Sequence, residues 1–167
     1  MDINELLNLY DKERIIKWVL RKNYTITKNG IESNEIVKGS KDTAEKIGVK
    51  DIVVFNDTAE SDFYAILAFA DVFVFEDKKD WRLPTVEEMK TIIMSEKERT
   101  DVPVRIKKFK DKVYEVNYRY NFNWKFYTSE RWHKKWIQMC ELWFDKVEIY
   151  RKDPELFRCG RFCLVRG

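Results

Sequence analysis

The stretch Asp80-Trp81-Arg82-Leu83-Pro84-Thr85-Val86-Glu87-Glu88-Met89-Lys90 constrains the fold more than any other. It is a helix start written in side chains. The Thr85 hydroxyl can accept from the backbone N–H of Glu88, and the Glu88 carboxylate can reach back to the N–H of Thr85. Pro84 stands just outside, where its missing N–H costs the helix nothing. Glu87 and Glu88 lie in the first turn, where the helix dipole favours negative charge. Val86, Met89, Ile92 and Ile93 then form one apolar stripe at helical spacing. A helix with one apolar face must pack on something, and Trp81 is expected in the core beside it. Arg82 is expected to pair with a carboxylate at the core edge.

The rest of the chain alternates short strands with short helices. Asp2 to Lys22 reads as helix, from Leu6, Leu9, Ile15, Ile16, Val19 and Leu20, with Trp18 as its anchor. Asn23 to Thr27 is a strand, Lys28-Asn29-Gly30 a turn, and Ile31 to Val37 the return strand, since Asn-Gly is a strong hairpin signal. Gly39-Ser40 closes that unit. Asp42 to Gly48 predicts a short helix capped by Gly48, and Asp51 to Phe55 a buried strand. Asn56-Asp57-Thr58 offers N-caps for a helix from about Glu60 to Phe73. In that helix Phe63, Ile66, Leu67, Ala70 and Phe73 share one face.

Further on, Val104 to Tyr120 reads as a hairpin turning at Lys110-Asp111, with Val104 and Ile106 facing Val113 and Val116. Phe126 to Glu130 is a strand. The aromatic run from Trp132 to Tyr150 is read as two strands turning near Asp145. Asp153-Pro154-Glu155 is a turn, and Leu156 to Val165 the last strand. At 167 residues, with 44% hydrophobic and 15% aromatic residues, the chain can bury a sizeable core.

Three motifs in order, Trp81-Arg82-Leu83-Pro84-Thr85-x-Glu87-Glu88, Phe126-Tyr127-Thr128-Ser129-Glu130 and Phe162-Cys163-Leu164-Val165-Arg166-Gly167, resemble the Fib-succ major paralogous domain family. They resemble the formylglycine-generating enzymes more distantly. The resemblance runs over Ala65–Gly167. It implies an α+β chain with a C-type-lectin-like fold: a twisted antiparallel sheet with two flanking helices, its first and last strands side by side. Residues 1–48 would then be an N-terminal helix and β-hairpin extension, and 49–167 the lectin-like domain. The segment Arg14-Ile15-Ile16-x-Trp18-Val19, followed by Asn23-Tyr24-x-Ile26-x-x-x-Gly30-Ile31, is also similar to leaders of tailed-phage proteins.

Such a scaffold carries its ligand on loops. Asn117 to Trp124 interleaves aromatics with amides, a composition that supplies rigid contact area and adaptable hydrogen bonds. Tyr118, Tyr120, Asn121, Asn123 and Trp124, with Arg131 and Trp132, are the candidate ligand-binding residues. The alternative is that alternate aromatics of this run point into the core, as in any half-buried strand. The expected ligand is a protein or a glycan.

Catalysis has weak candidates. His133 is the only histidine. A lone histidine beside lysines is expected at the surface, although it titrates near neutrality. Five single glycines build no phosphate loop. Neither a catalytic residue, a metal nor a cofactor is expected. The formylglycine-type alternative would use Cys159 and Cys163, but two thiols do not complete a tetrahedral metal site. In one extended strand they would lie about 13 Å apart, beyond the roughly 4.4–6.8 Å of a disulfide. Cys140, Cys159 and Cys163 are therefore expected as reduced, buried thiols.

The net charge is only +3, from 32 basic and 29 acidic residues. That balance argues against dedicated nucleic-acid binding. The basic run Lys107–Lys112 keeps that alternative open beside its simpler reading as a solvated hairpin edge. The first apolar residues, Ile3, Leu6, Leu7 and Leu9, are interrupted by acids and asparagines, so no signal peptide or span is expected. The expected home is the cytoplasm of the producing cell or a phage host, or a virion.

Overall fold

The computed structural model describes residues 14, 25–27, 30–32, 36–55, 62–99, 104–109, 112–117, 122 and 124–167. They form an α+β structure. The elements are β1 Thr25–Thr27, β2 Gly30–Glu32, β3 Ile36–Lys38, α1 Lys41–Ile47, β4 Asp51–Phe55, α2 Phe63–Val72, β5 Trp81–Arg82 and α3 Val86–Glu96. Then follow β6 Val104–Phe109, β7 Lys112–Asn117, β8 Phe126–Trp132, β9 Trp136–Trp143, β10 Lys146–Lys152 and β11 Cys163–Arg166. The helix expected over Asp2–Lys22 lies outside the described residues except for Arg14.

Beside the two-stranded ladders β1-β2 and β6-β7 there are two larger sheets. One runs β3-β4-β11-β5 and the other β10-β9-β8, both antiparallel. β4 and β11 pair from Asp51↔Arg166 to Val54↔Cys163, so the strand that begins the later part of the chain lies against the strand that ends it. A parallel bridge, Phe126↔Arg161, stitches the two sheets together. Tyr127 N–H donates to the Arg161 carbonyl and Arg161 N–H to the Lys125 carbonyl, each at 2.9 Å.

The helix start at Thr85 forms as its spacing predicts. Thr85 Oγ1 accepts from Glu88 N–H at 3.2 Å, and Glu88 Oε1 accepts from Thr85 N–H at 2.9 Å. Glu88 is also the acid that Arg82 takes, through two contacts of 2.7 and 2.9 Å. Hydrogen bonds from Arg82 hold the Glu88 carboxyl below the usual carboxylate range; burial opposes them and the Thr85 N–H assists. Thr85→Ala removes one cap acceptor and should cost about 1 kcal/mol, read from the urea midpoint at constant m-value. Val86, Met89, Ile92 and Ile93 are all buried.

Two apolar clusters result. The first joins α2 to Phe55, Trp81, Tyr127, Met139 and Phe162; the second joins α3 to Val54, Phe126, Cys140 and Val165. α2 is buried nearly all round, Ala65, Ala68 and Phe69 included, which is why its sequence reads as more than one stripe.

Several local expectations shift. The return strand expected over Ile31–Val37 divides. Gly30–Glu32 pairs with β1, whereas Ile36–Lys38 pairs with β4, where Val37 joins the second cluster. Residues 36–47, placed in the extension by sequence, are thereby fastened to the later sheet. The N-cap of α2 is Asp62, whose Oδ1 accepts from Ala65 N–H at 2.8 Å, not the Asn56–Thr58 segment, which lies outside the described residues. The β6–β7 hairpin exists, but its register sets Val104 opposite Asn117 and Ile106 opposite Glu115.

The last strand is Cys163–Arg166 rather than Leu156–Val165. Asp153 ends β10 in a turn, accepting from Glu155 N–H at 3.0 Å, and Gly160 must then pass under Tyr127. A Cβ at Gly160 would stand 2.2 Å from the Tyr127 ring.

Candidate binding surface

The β8–β9–β10 sheet presents two half-covered faces. Residues paired across neighbouring strands share a face, so Trp132, Trp136, Gln138, Cys140, Leu142, Val147, Ile149 and Arg151 point one way. On this face Cys140 packs under α3, while Trp132 and Arg151 stay exposed. Ile137, Met139, Glu141, Trp143, Glu148, Tyr150 and Lys152 point the other way. Here Ile137 and Met139 belong to the first cluster, Glu141 is buried beside them, and Trp143 and Glu148 are exposed.

Three of the seven candidate ligand-binding residues are described, and they lie at opposite ends of β8. Tyr118, Tyr120, Asn121 and Asn123 lie outside the described residues. Trp124 is half-buried just before β8, its Nε1 donating to the Cys159 carbonyl. Arg131 and Trp132 are at the far end of β8, about 23 Å away at ~3.3 Å per residue. Arg131 lies over the Phe63 ring at 5.4 Å and donates to the Lys134 carbonyl at 3.2 Å. Trp132 is covered on one side by the Arg151 guanidinium, 3.9 Å from its ring centre. Phe122, from the aromatic run, is buried, and its carbonyl accepts from Leu142 N–H at 2.9 Å. That bond sets Phe122 beside the β9–β10 end of the sheet.

At that end Trp143 is the last residue of β9 and Phe144 the first of the turn into β10. Trp143 is 56% and Phe144 83% exposed. Their rings meet edge to face at 5.4 Å. Phe144 has φ +57°, in the left-handed region. A bulky side chain is rarely held there, because its Cβ crowds the following carbonyl. Glycine, asparagine or aspartate would make the same turn at lower cost.

Between Trp124 and β10 lies a filled aromatic box. Lys125 Nζ is 4.6 Å from the Tyr150 ring centre, 5.3 Å from Trp124 and 6.0 Å from Phe157, with Glu141 Oε2 at 3.6 Å. The half-buried position of Trp124 follows from this role as one wall of the box. Reading the sequence missed the box, because four separate segments supply its sides.

The thiols differ from the expectation of three buried groups. Cys140 and Cys163 are buried, and Cys159 is exposed because it precedes the strand. Burial pushes the Cys140 thiol up to about 12 and raises Cys163 well above its ordinary value. In the folded protein at pH 8, a maleimide should therefore label one cysteine rapidly, and mass mapping should place it at Cys159. Fast labelling at Cys140 or Cys163 would contradict the packing. His133 is exposed at the β8–β9 turn. Among the described residues no group of three His, Cys, Asp or Glu side chains could hold a metal ion, and no helix is long and apolar enough to cross a membrane.

No family model, curated protein or solved structure matches the chain.

Proposed function

We propose that this protein is a recognition module without chemistry of its own, binding a protein partner through the Trp143–Phe144 end of the β8–β9–β10 sheet. The observation that carries this reading is Phe144. Its ring stands in solvent and its backbone is in the left-handed region. Both features cost stability, and no described contact of Phe144 other than Trp143 repays them. Strained, exposed residues of this kind are retained where a site needs them. Trp and Phe on a rigid hairpin are also the side chains that anchor protein interfaces. A protein is favoured over a glycan because the ring pair is apolar and projects outward.

The lectin-like scaffold remains part of the reading. It is supported by the pairing of β4 with β11 and by the packing of α2 and α3 against the sheets. On such a scaffold function resides in loops and turns. The phage-like leader suggests two settings: a virion protein that meets a host surface, or a cytoplasmic protein that blocks a host defence factor.

Phe144→Gly separates binding from folding. Glycine tolerates the left-handed turn, so the variant should keep its stability or gain up to about 1 kcal/mol. It should at the same time lose the partner that the wild-type protein captures from a bacterial lysate, as should Trp143→Ala. Undiminished capture by both variants would sink the proposal; a large loss of stability in Phe144→Gly would show that the ring serves the fold.

A further inference from the structure

The opposite end of the same sheet carries a second surface of different character. Arg131-Trp132-His133-Lys134-Lys135 is exposed throughout and contains no acid. Arg151 joins it from β10, across β9, its guanidinium 3.9 Å from the Trp132 ring centre. The His133 ring meets the edge of Trp132 at 4.1 Å. Arg131 donates to the Lys134 carbonyl, which fixes the turn from inside. Glu130 is turned away, its Oε2 accepting from Val86 N–H at 3.1 Å. Among the described residues Asp153 alone answers the cluster, 3.4 Å from Lys135 Nζ. Lys134 has no acid within ion-pair distance among those residues. Against a chain-wide net charge of +3, this is a local concentration of cations around an aromatic platform.

We propose that the β8–β9 turn, with Arg151, docks an acidic polypeptide segment. Charge complementarity argues for an anionic partner, and the guanidinium argues for carboxylates. Stacked on Trp132, it loses side-chain freedom before any partner arrives, and its fork can then take a carboxylate bidentately. Lys134 and Lys135 offer further point charges along the turn. A single-stranded nucleic acid fits less well. Such strands bind by stacking bases on successive open rings, whereas one face of Trp132 is taken by Arg151 and Trp136 is half-buried. This surface is separated from Trp143 by the length of β9, roughly 23 Å at ~3.3 Å per residue, so it stands whether or not the Trp143–Phe144 reading does.

The test is fluorescence anisotropy on the full chain with three labelled probes: a glutamate decamer, a glutamine decamer and a single-stranded DNA decamer. At ~50 mM salt the glutamate peptide should bind, and ~500 mM salt should release it, since exposed charge pairs are screened over a few ångströms there. Lys134→Glu with Arg151→Glu should weaken binding at least about tenfold, with the thermal midpoint checked in parallel. Lys134→Glu alone, which breaks no described contact, should weaken it by about threefold. Phe144→Gly should leave it unchanged. No binding of the glutamate peptide overturns the proposal. So does equal binding by the charge-reversed proteins, or tighter binding of the DNA through the same residues.

Discussion

Trp81→Ala should destabilise the fold by about 3–5 kcal/mol, the range for emptying a buried tryptophan site. Trp81 is 5% exposed and packs edge to face on Phe73 at 5.5 Å. Phe73 in turn touches Phe55 and Phe69, and Phe55 stacks on Phe162 at 4.4 Å. The indole therefore closes one end of a continuous aromatic cluster between α2 and the four-stranded sheet. Its Nε1 donates to the Lys78 carbonyl at 2.9 Å, which ties down the turn before β5. The neighbouring Lys78 and Arg166 both pair with Asp51, at 3.0 and 2.8 Å. Burial alone would raise the Asp51 carboxyl, yet hydrogen bonds from Lys78 and Arg166 take it below the usual range. Emptying the Trp81 site thus loosens an edge that charge pairs also hold. Trp81→Phe should recover most of the loss, lacking chiefly the Nε1 hydrogen bond at about 1 kcal/mol. Guanidinium titration of the three proteins checks the order; an alanine variant within about 1 kcal/mol of wild type would refute the core role.

What could be read in the sequence was local or strongly periodic. The Thr85–Glu88 box spans one helical turn, so its two bonds need no tertiary information. The stripe Val86, Met89, Ile92, Ile93 announced its buried face for the same reason. Gly48 announced the end of α1, which it caps at φ +75°. The failures are where distant segments decide. Ile36–Lys38 looked like the return arm of the first hairpin until β4 offered it a better-buried partner. Cys159 looked like part of a strand until Tyr127 forced the chain to approach through Gly160. The Trp132–Arg151 stack depends on the register of three strands, and no local pattern fixes that. Phe144 gave no warning because its turn contains neither glycine nor asparagine; a turn was expected near Asp145, but not which residue would bear the left-handed backbone. Glu96 did leave a trace. It continues the stripe 89, 92, 93 by one helical step, and an acid on a buried stripe implies waiting donors.

Those donors make Glu96→Ala the second severe substitution, with an expected cost of about 3–5 kcal/mol. Glu96 is 1% exposed at the end of α3. Its Oε1 accepts from Ser40 N–H at 2.8 Å, Ser40 Oγ at 2.9 Å and Thr43 Oγ1 at 2.8 Å; its Oε2 lies 3.2 Å from Arg99. Alanine leaves Ser40 N–H without its acceptor and takes the carboxylate from the Ser40 and Thr43 hydroxyls, which keep only each other and Ser95, while Arg99 keeps the Lys38 carbonyl; a buried donor without its acceptor loses its full hydration. The damage should begin at α1. Seven residues cannot hold a helix unaided, and Ser40, whose Oγ accepts from Thr43 N–H at 3.2 Å, is both the N-cap of α1 and a ligand of Glu96. Hydrogen exchange in Lys41–Ile47 should therefore accelerate more than in α2, where no contact changes. Glu96→Gln should fall between wild type and alanine. Its amide oxygen keeps the three Oε1 bonds, while its NH2 group turns a donor towards Arg99, at a cost of about 1.5–3 kcal/mol for the lost charged hydrogen bond. Alanine and glutamine variants of equal stability would mean that shape, not acceptance, is what Glu96 supplies. Unchanged exchange in α1 would mean that its seven residues are held by Ala44 and Ile47 packing on the second cluster instead.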